Sequence, residues 1–265
     1  MEDKQYIVSI PRRLLCEVSA AYIAALTCAP IIQIVDASVT AGQSGKTPIF
    51  TAAYNFTRTL ILTPHKFIFS KYFAWIYFVY SSTYTTNNCI DSLCKLYQIN
   101  EVLPKLIGVT FVNMSASVIK DAAFARYFGT KPPSKVPLLS YCLWLVRDSM
   151  AIAAAFIIPE RVSGHFQKTK GMAKNKADTL AQFNVPISMQ VVLLPIHLLG
   201  LDIYNNNVST TGDRAKRVLK NYFPALPLRF IRMAGAFGFG GVNNKVLRNK
   251  IISQYEGKDW MKHRV

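Results

Sequence analysis

Apolar positions gather into six stretches along the chain: Ala20 to Val39, Tyr72 to Thr83, Leu103 to Val118, Val136 to Ile158, Val185 to Tyr204 and Leu226 to Val242. Each is long enough for a helix. None is an unbroken apolar run of roughly 18 residues, the pattern of a lone helix bathed in lipid. Pro, Gly, Ser, Gln, Arg or Asp interrupts every one. Helices in a bundle, with one face on lipid and another on a polar interior, carry this mixture of apolar, small and polar residues. Tyr72-Phe73-Ala74-Trp75-Ile76-Tyr77-Phe78-Val79-Tyr80 is apolar all round, which a soluble amphipathic helix does not need. The pattern predicts an all-α membrane protein of six transmembrane helices.

Charge falls between these stretches. Basic runs occupy Arg161 to Lys176, Asp213 to Lys220, Lys245 to Lys250 and Lys258 to Arg264. A bilayer imposes this division, because a charge is costly at mid-membrane and attracted to lipid phosphate at the interface. Composition sharpens the picture: 51% of the 265 residues are hydrophobic, barely above the usual share, whereas only 17% are charged. Lys and Arg number 31 against 14 Asp and Glu, a formal charge of +17. Such an excess calls for an anionic partner. Aromatic residues cluster in the apolar blocks instead of alternating with the bases, so anionic, cardiolipin-like membrane lipid is expected and nucleic acid is not. The rival reading of the basic runs is as solvated loops of a soluble basic protein.

The six blocks fall into two interleaved series. Lys71, Arg147 and Arg232 open the apolar runs of the second, fourth and sixth blocks, 76 and 85 residues apart. Pro30, Ser115 and Pro195 mark kink positions in the odd blocks, 85 and 80 residues apart. Asn87-Asn88 and Asn243-Asn244 close the second and sixth blocks alike. A period near 80 predicts three two-helix pseudo-repeats, 20–100, 101–180 and 181–250, within a membrane domain 20–250. An N-terminal segment 1–19 precedes it and a basic tail 251–265 follows.

At these residues the chain resembles the mitochondrial carrier family, as a degenerate member. The resemblance implies three repeats, each with an odd helix kinked at Pro, and a multi-pass place in a mitochondrial membrane, the inner one by expectation. In that family's Pro-x-[Asp/Glu]-x-x-[Lys/Arg] pattern, charged residues from the three odd helices form a ring that closes the cavity. Here Pro30 is followed by Ile32 and Val35, Ser115 by Ser117 and Lys120, and Pro195 by His197 and Gly200. Lys120 alone keeps the expected charge, and it is expected to lack partners. Two functions follow from the resemblance: transport of a small anionic metabolite through a basic cavity, or a carrier fold that has lost transport and serves as a structural or assembly subunit of a membrane complex.

Candidate solute-binding residues are Lys71, Lys120, Arg147, Asp148 and Arg232, bases and an acid set within or beside apolar blocks, where an ionisable group usually faces a bundle interior. Asp36, Asp121 and Asp202 each follow a kink position by six or seven residues and are read as helix-end ion-pairing groups or a remnant gate. Arg214, Lys216 and Arg217, interleaved with Val218, Leu219 and Tyr222, are expected to form a short surface helix that binds anionic lipid.

Other chemistry is thinly represented. Thr40-Ala41-Gly42-Gln43-Ser44-Gly45-Lys46-Thr47 ends like a phosphate-binding loop, but Thr40 stands where its first Gly belongs and Pro48 follows at once. His65, His165, His197 and His263 pair with no nucleophile at a catalytic spacing, and Cys16, Cys28, Cys89, Cys94 and Cys142 form no zinc pattern with them. No enzyme activity, metal or cofactor is expected. The opening Met1-Glu2-Asp3-Lys4 starts no apolar signal segment, so any targeting information is expected to be internal.

Overall fold

The computed structural model describes residues 10–129, 135–156, 158–206 and 208–256. Among these residues the chain is helical and contains no strand. Helix α1 spans Ile10–Gln43, α2 Ile49–Leu62, α3 Pro64–Ile68, α4 Lys71–Leu96 and α5 Val102–Phe128. They are followed by α6 (Leu138–Phe156), α7 (Ile158–Lys170), α8 (Lys174–Asn205) and α9 (Thr211–Met233). A π-helix over Ala234–Gly241 then joins α9 to α10, Val242–Glu256.

Local sequence explains several boundaries. Ser70 caps α4 by accepting the Phe73 amide at 3.1 Å, and Thr210 caps α9 by accepting the Asp213 amide at 3.2 Å. Asp213 also places a carboxylate in the first turn of α9, where the helix dipole favours it. Gly45 and Gly171 take positive φ just past α1 and α7, the left-handed conformation that ends helices. Pro30 lies inside α1 and Pro186 and Pro195 inside α8, each removing one backbone donor from its helix.

The long helices close into a ring. α1 packs on α4 at one side and on α9, the π-helix and α10 at the other; α4 meets α5, α5 meets α6, α6 meets α8, and α8 meets α9. Ala20, Ala21, Ala24, Ala25, Cys28 and Ala29 of α1 are fully buried. Small side chains on that face let neighbouring backbones come close, which is how helices associate where lipid is as apolar as the core. Aromatic packing dominates between α2, α4 and α5: Tyr72 stacks on Phe128 with centroids 4.9 Å apart, and Phe56 meets both rings edge-on.

Among the described residues, three helical stretches are long and apolar enough to cross a membrane: α1, α5 and Asn184–Asn205 of α8. Six were expected. α4 and α9 have the length, but polar side chains dilute their apolar character. α1 begins at Ile10, so much of the expected N-terminal segment is helix, and α10 takes in residues 251–256 of the expected tail. The basic stretch around Arg214 is no separate surface helix; it runs unbroken into α9. Thr40–Gln43 is the last turn of α1, so a helix and not a strand leads into the phosphate-loop-like sequence.

Candidate functional site

A cavity of about 710 Å³ lies inside the ring, walled by α4, α5, α6, α8, α9, the π-helix and α10. α1 contributes no lining side chain but backs the wall with two buried acids, Glu17 and Asp36. They are 19 residues apart, so about 28 Å separates them along the helix, close to the thickness of a bilayer's hydrocarbon core. Each organises a charged network at one end of the cavity.

At the Asp36 end, Lys120 of α5 bridges two helices. Its ammonium lies 2.7 Å from Asp36 Oδ2 and 2.8 Å from Asp121 Oδ1. Arg232 Nε donates to Asp36 Oδ1 at 2.8 Å, and Arg229 Nη1 stands 3.6 Å from the same oxygen. Arg147 of α6 reaches Asp121 Oδ2 at 2.6 Å and clasps Asp148 Oδ1 with Nε and Nη2 at 2.9 and 2.7 Å. His197 of α8 brings Nδ1 to 2.5 Å from Arg147 Nη1. An arginine can only donate, so Nδ1 accepts and a ring proton belongs on Nε2. Five helices thus converge on two aspartates.

Beyond this floor lies a second layer. Asp202, fully buried at the end of α8, accepts from Arg217 Nε at 2.6 Å and Nη2 at 3.0 Å, and from Arg214 Nη1 at 3.1 Å. Arg217 Nη2 also donates to Ser209 Oγ at 2.7 Å.

The other end is tied by Arg248 of α10. It donates to Glu17 from Nε at 2.5 Å and from Nη2 at 2.8 Å, while Nη1 lies 2.5 Å from Asp91 Oδ2. The Ser92 hydroxyl donates to Glu17 and receives Arg13 Nε at 3.1 Å. Asp91 also pairs with Lys95 at 2.6 Å and with Lys105, which in turn lies 3.0 Å from Glu101. Asn88 and Asn244 exchange two hydrogen bonds of 2.9 Å each. Exposed Lys95 and Lys245 stand on the cavity rim here.

The expected solute-binding residues separate. Lys120, Arg147, Asp148 and Arg232 line the cavity. Lys71 does not: it is the first residue of α4, exposed, with its ammonium 4.0 Å from the Tyr127 ring centroid. Arg147 sits midway along α6 and Arg232 at the end of α9, so the three bases that the repeat aligns stand at different places in their helices. Lys120, expected alone, has two carboxylate partners. Arg214 and Arg217 hold Asp202, and Lys216 is exposed. Arg229, Glu17, Asp91 and Arg248 went unnoticed as site residues; the repeated Asn pairs were the one sequence signal that pointed at the Arg248 end.

Several lining groups are incompletely used. Among the described residues, Arg229 Nε and Nη2 and Asp148 Oδ2 are buried without a hydrogen-bond partner. A donor pair on a cation and an acceptor on an anion thus belong to residues that line the cavity.

The family described as "Probable citrulline exporter" matches residues 20–252. The chain belongs to the probable citrulline exporter family. This replaces the mitochondrial carrier resemblance, and the mitochondrial membrane that the resemblance implied loses its support with it. The three kink positions and the near-80 period led to the wrong family because Pro-kinked helices around a polar interior are a general answer to building a cavity in a bilayer. As a member of the probable citrulline exporter family, the chain is a multi-pass membrane protein of a transporter family. No curated protein and no solved structure matches it.

Proposed function

We propose that the protein moves citrulline, a zwitterionic amino acid with an uncharged side chain, across a membrane through the central cavity, with six helical segments of the ring crossing the bilayer. The unmade hydrogen bonds of Arg229 and Asp148 carry this reading. At neutral pH an amino acid presents a carboxylate and an ammonium together. Arg229 takes the carboxylate in a forked, charge-assisted contact, and Asp148 Oδ2 takes the ammonium.

The charge balance of the cavity supports a net-neutral solute over the small anion expected from the basic residues alone. Seven described bases line the cavity: Lys95, Lys120, Arg147, Arg229, Arg232, Lys245 and Arg248. Asp91, Glu101 and Asp148 line it as well, while Asp36, Asp121 and Glu17 sit directly behind in ion-pair contact. Most of the positive charge is already neutralised by the protein.

The test is efflux from proteoliposomes that contain the purified protein and are loaded with labelled citrulline. Release well above protein-free vesicles is expected, with stronger competition from amino acids than from dicarboxylates. No amino-acid release, with stable co-purification of other membrane subunits, would overturn transport in favour of a structural role.

A further inference from the structure

Between its two charged ends the cavity wall is uncharged and polar. Thr110, Asn113 and Ser117 of α5 line it, followed on the same face by Lys120. Their spacings of three, four and three residues set them in one stripe. Thr83 of α4 faces the stripe, and its hydroxyl is shared between the Val79 carbonyl at 2.7 Å and the Asn113 amide oxygen at 3.2 Å. That contact holds the amide oxygen and leaves the Asn113 NH2 group without a partner among the described residues. Thr110 Oγ1 is likewise buried and unpartnered among them. On α4 and α5 the nearest acids, Asp91, Glu101 and Asp121, lie eight or nine residues from this group, about 12 Å along the helices, and all three are ion-paired.

We infer that Thr110 and Asn113, braced by Thr83, form a subsite that reads an uncharged terminal ureido group and rejects a cationic one. The inference rests on the amino-acid reading above. From the Lys120 level to Asn113 and Thr110 the distance along α5 is about 10–15 Å. An extended amino acid with three methylenes and a ureido group spans about 8 Å between its end carbons. Hydrogen bonds of about 2.9 Å at both ends bring its reach into that interval. The Asn113 NH2 donates to the ureido oxygen, and the Thr110 hydroxyl accepts a ureido N–H. A guanidinium of the same length and shape has donors only, so it leaves the Asn113 NH2 unpaired. It also brings a positive charge to a stretch of α4 and α5 that carries no acid.

The experiment measures labelled citrulline and labelled arginine in the same proteoliposome assay, for the wild type and for Asn113→Asp and Thr110→Val. Wild type is expected to prefer citrulline by roughly tenfold or more. Asn113→Asp supplies an anionic acceptor and is expected to move the ratio toward arginine by about the same factor, which a merely structural role for Asn113 would not do. If Asn113→Asp does not survive purification, Thr110→Val carries the test, with a several-fold loss of discrimination expected. Citrulline transport with an unchanged ratio in the variant overturns the subsite and leaves the amino-acid reading intact. Failure of the wild type to move any amino acid overturns both.

Discussion

Arg248 and Arg229 both stand on the wall formed by α9, the π-helix and α10, and both are buried, yet they are used in opposite ways. Arg248 spends its donors on Glu17, Asp91 and Ser92 and receives close, charge-assisted geometry in return. Arg229 has one loose contact of 3.6 Å to Asp36, and its Nε and Nη2 find no partner among the described residues. A saturated guanidinium ties helices together. An unsaturated one keeps donors free, which under the proposed function a solute carboxylate takes up. On that proposal the cavity has a structural end and a recognising end, although both are made of arginine and carboxylate.

Breaking the structural end is expected to have the largest effect. Arg248→Ala leaves Glu17 buried with no cation, a change that costs about 3–5 kcal/mol. Thermal unfolding of the detergent-solubilised protein would show it as a large fall in midpoint, and Glu17→Gln combined with Arg248→Met would recover much of it, since replacing both partners removes the stranded charge. An Arg248→Ala protein as stable as wild type would dissolve the distinction.

Arg229→Met should do the reverse. Stability is expected to hold or rise slightly, because unmade donors leave with the side chain, whereas citrulline efflux drops by tenfold or more if a charge-assisted pair worth about 1.5–3 kcal/mol is lost. Initial efflux rates over a range of loaded concentrations check this. Asp148→Asn is expected to be milder, because its amide oxygen can still accept from Arg147, although the carboxylate charge is lost and an NH2 replaces the free oxygen. It should weaken amino-acid competition several-fold, and carboxylic acids lacking the ammonium should be affected less. The smallest change belongs to Arg217→Ala: this side chain is one-third exposed, and Arg214 still holds Asp202, so a loss of about 1 kcal/mol or less is expected in the same unfolding assay.

How much of this was legible beforehand differs between the two ends. Apolar blocks located the long helices because burial leaves its mark in consecutive residues. α2 and α3 escaped because they are short, at 14 and 5 residues. Lys120 read as a stray charge because its partner Asp36 is 84 residues away, and a ring closed in three dimensions has no local signature. The acids at six or seven residues past each kink position were visible, but most of their bases come from other helices. Arg229 hid inside Leu226 to Val242, where Arg232 drew attention first. Unmet hydrogen-bonding capacity, the property that singles out Arg229 and Asp148, belongs to the packed structure and to no sequence pattern.

The π-helix sets the phase of that wall. An unbroken α-helix turns about 100° per residue, so the 19 residues from Arg229 to Arg248 would leave the two side chains about 100° apart around the axis. The wider i→i+5 turns across Ala234–Gly241 unwind part of that angle. Tyr84 pins the unwound segment by donating to the Ala236 carbonyl at 3.1 Å, and Gly240 admits that ring because a Cβ there would stand 2.1 Å from the phenolic oxygen. Eight underwound residues therefore work as a torsional spacer that lets one continuous strut present an arginine to each end of the same chamber.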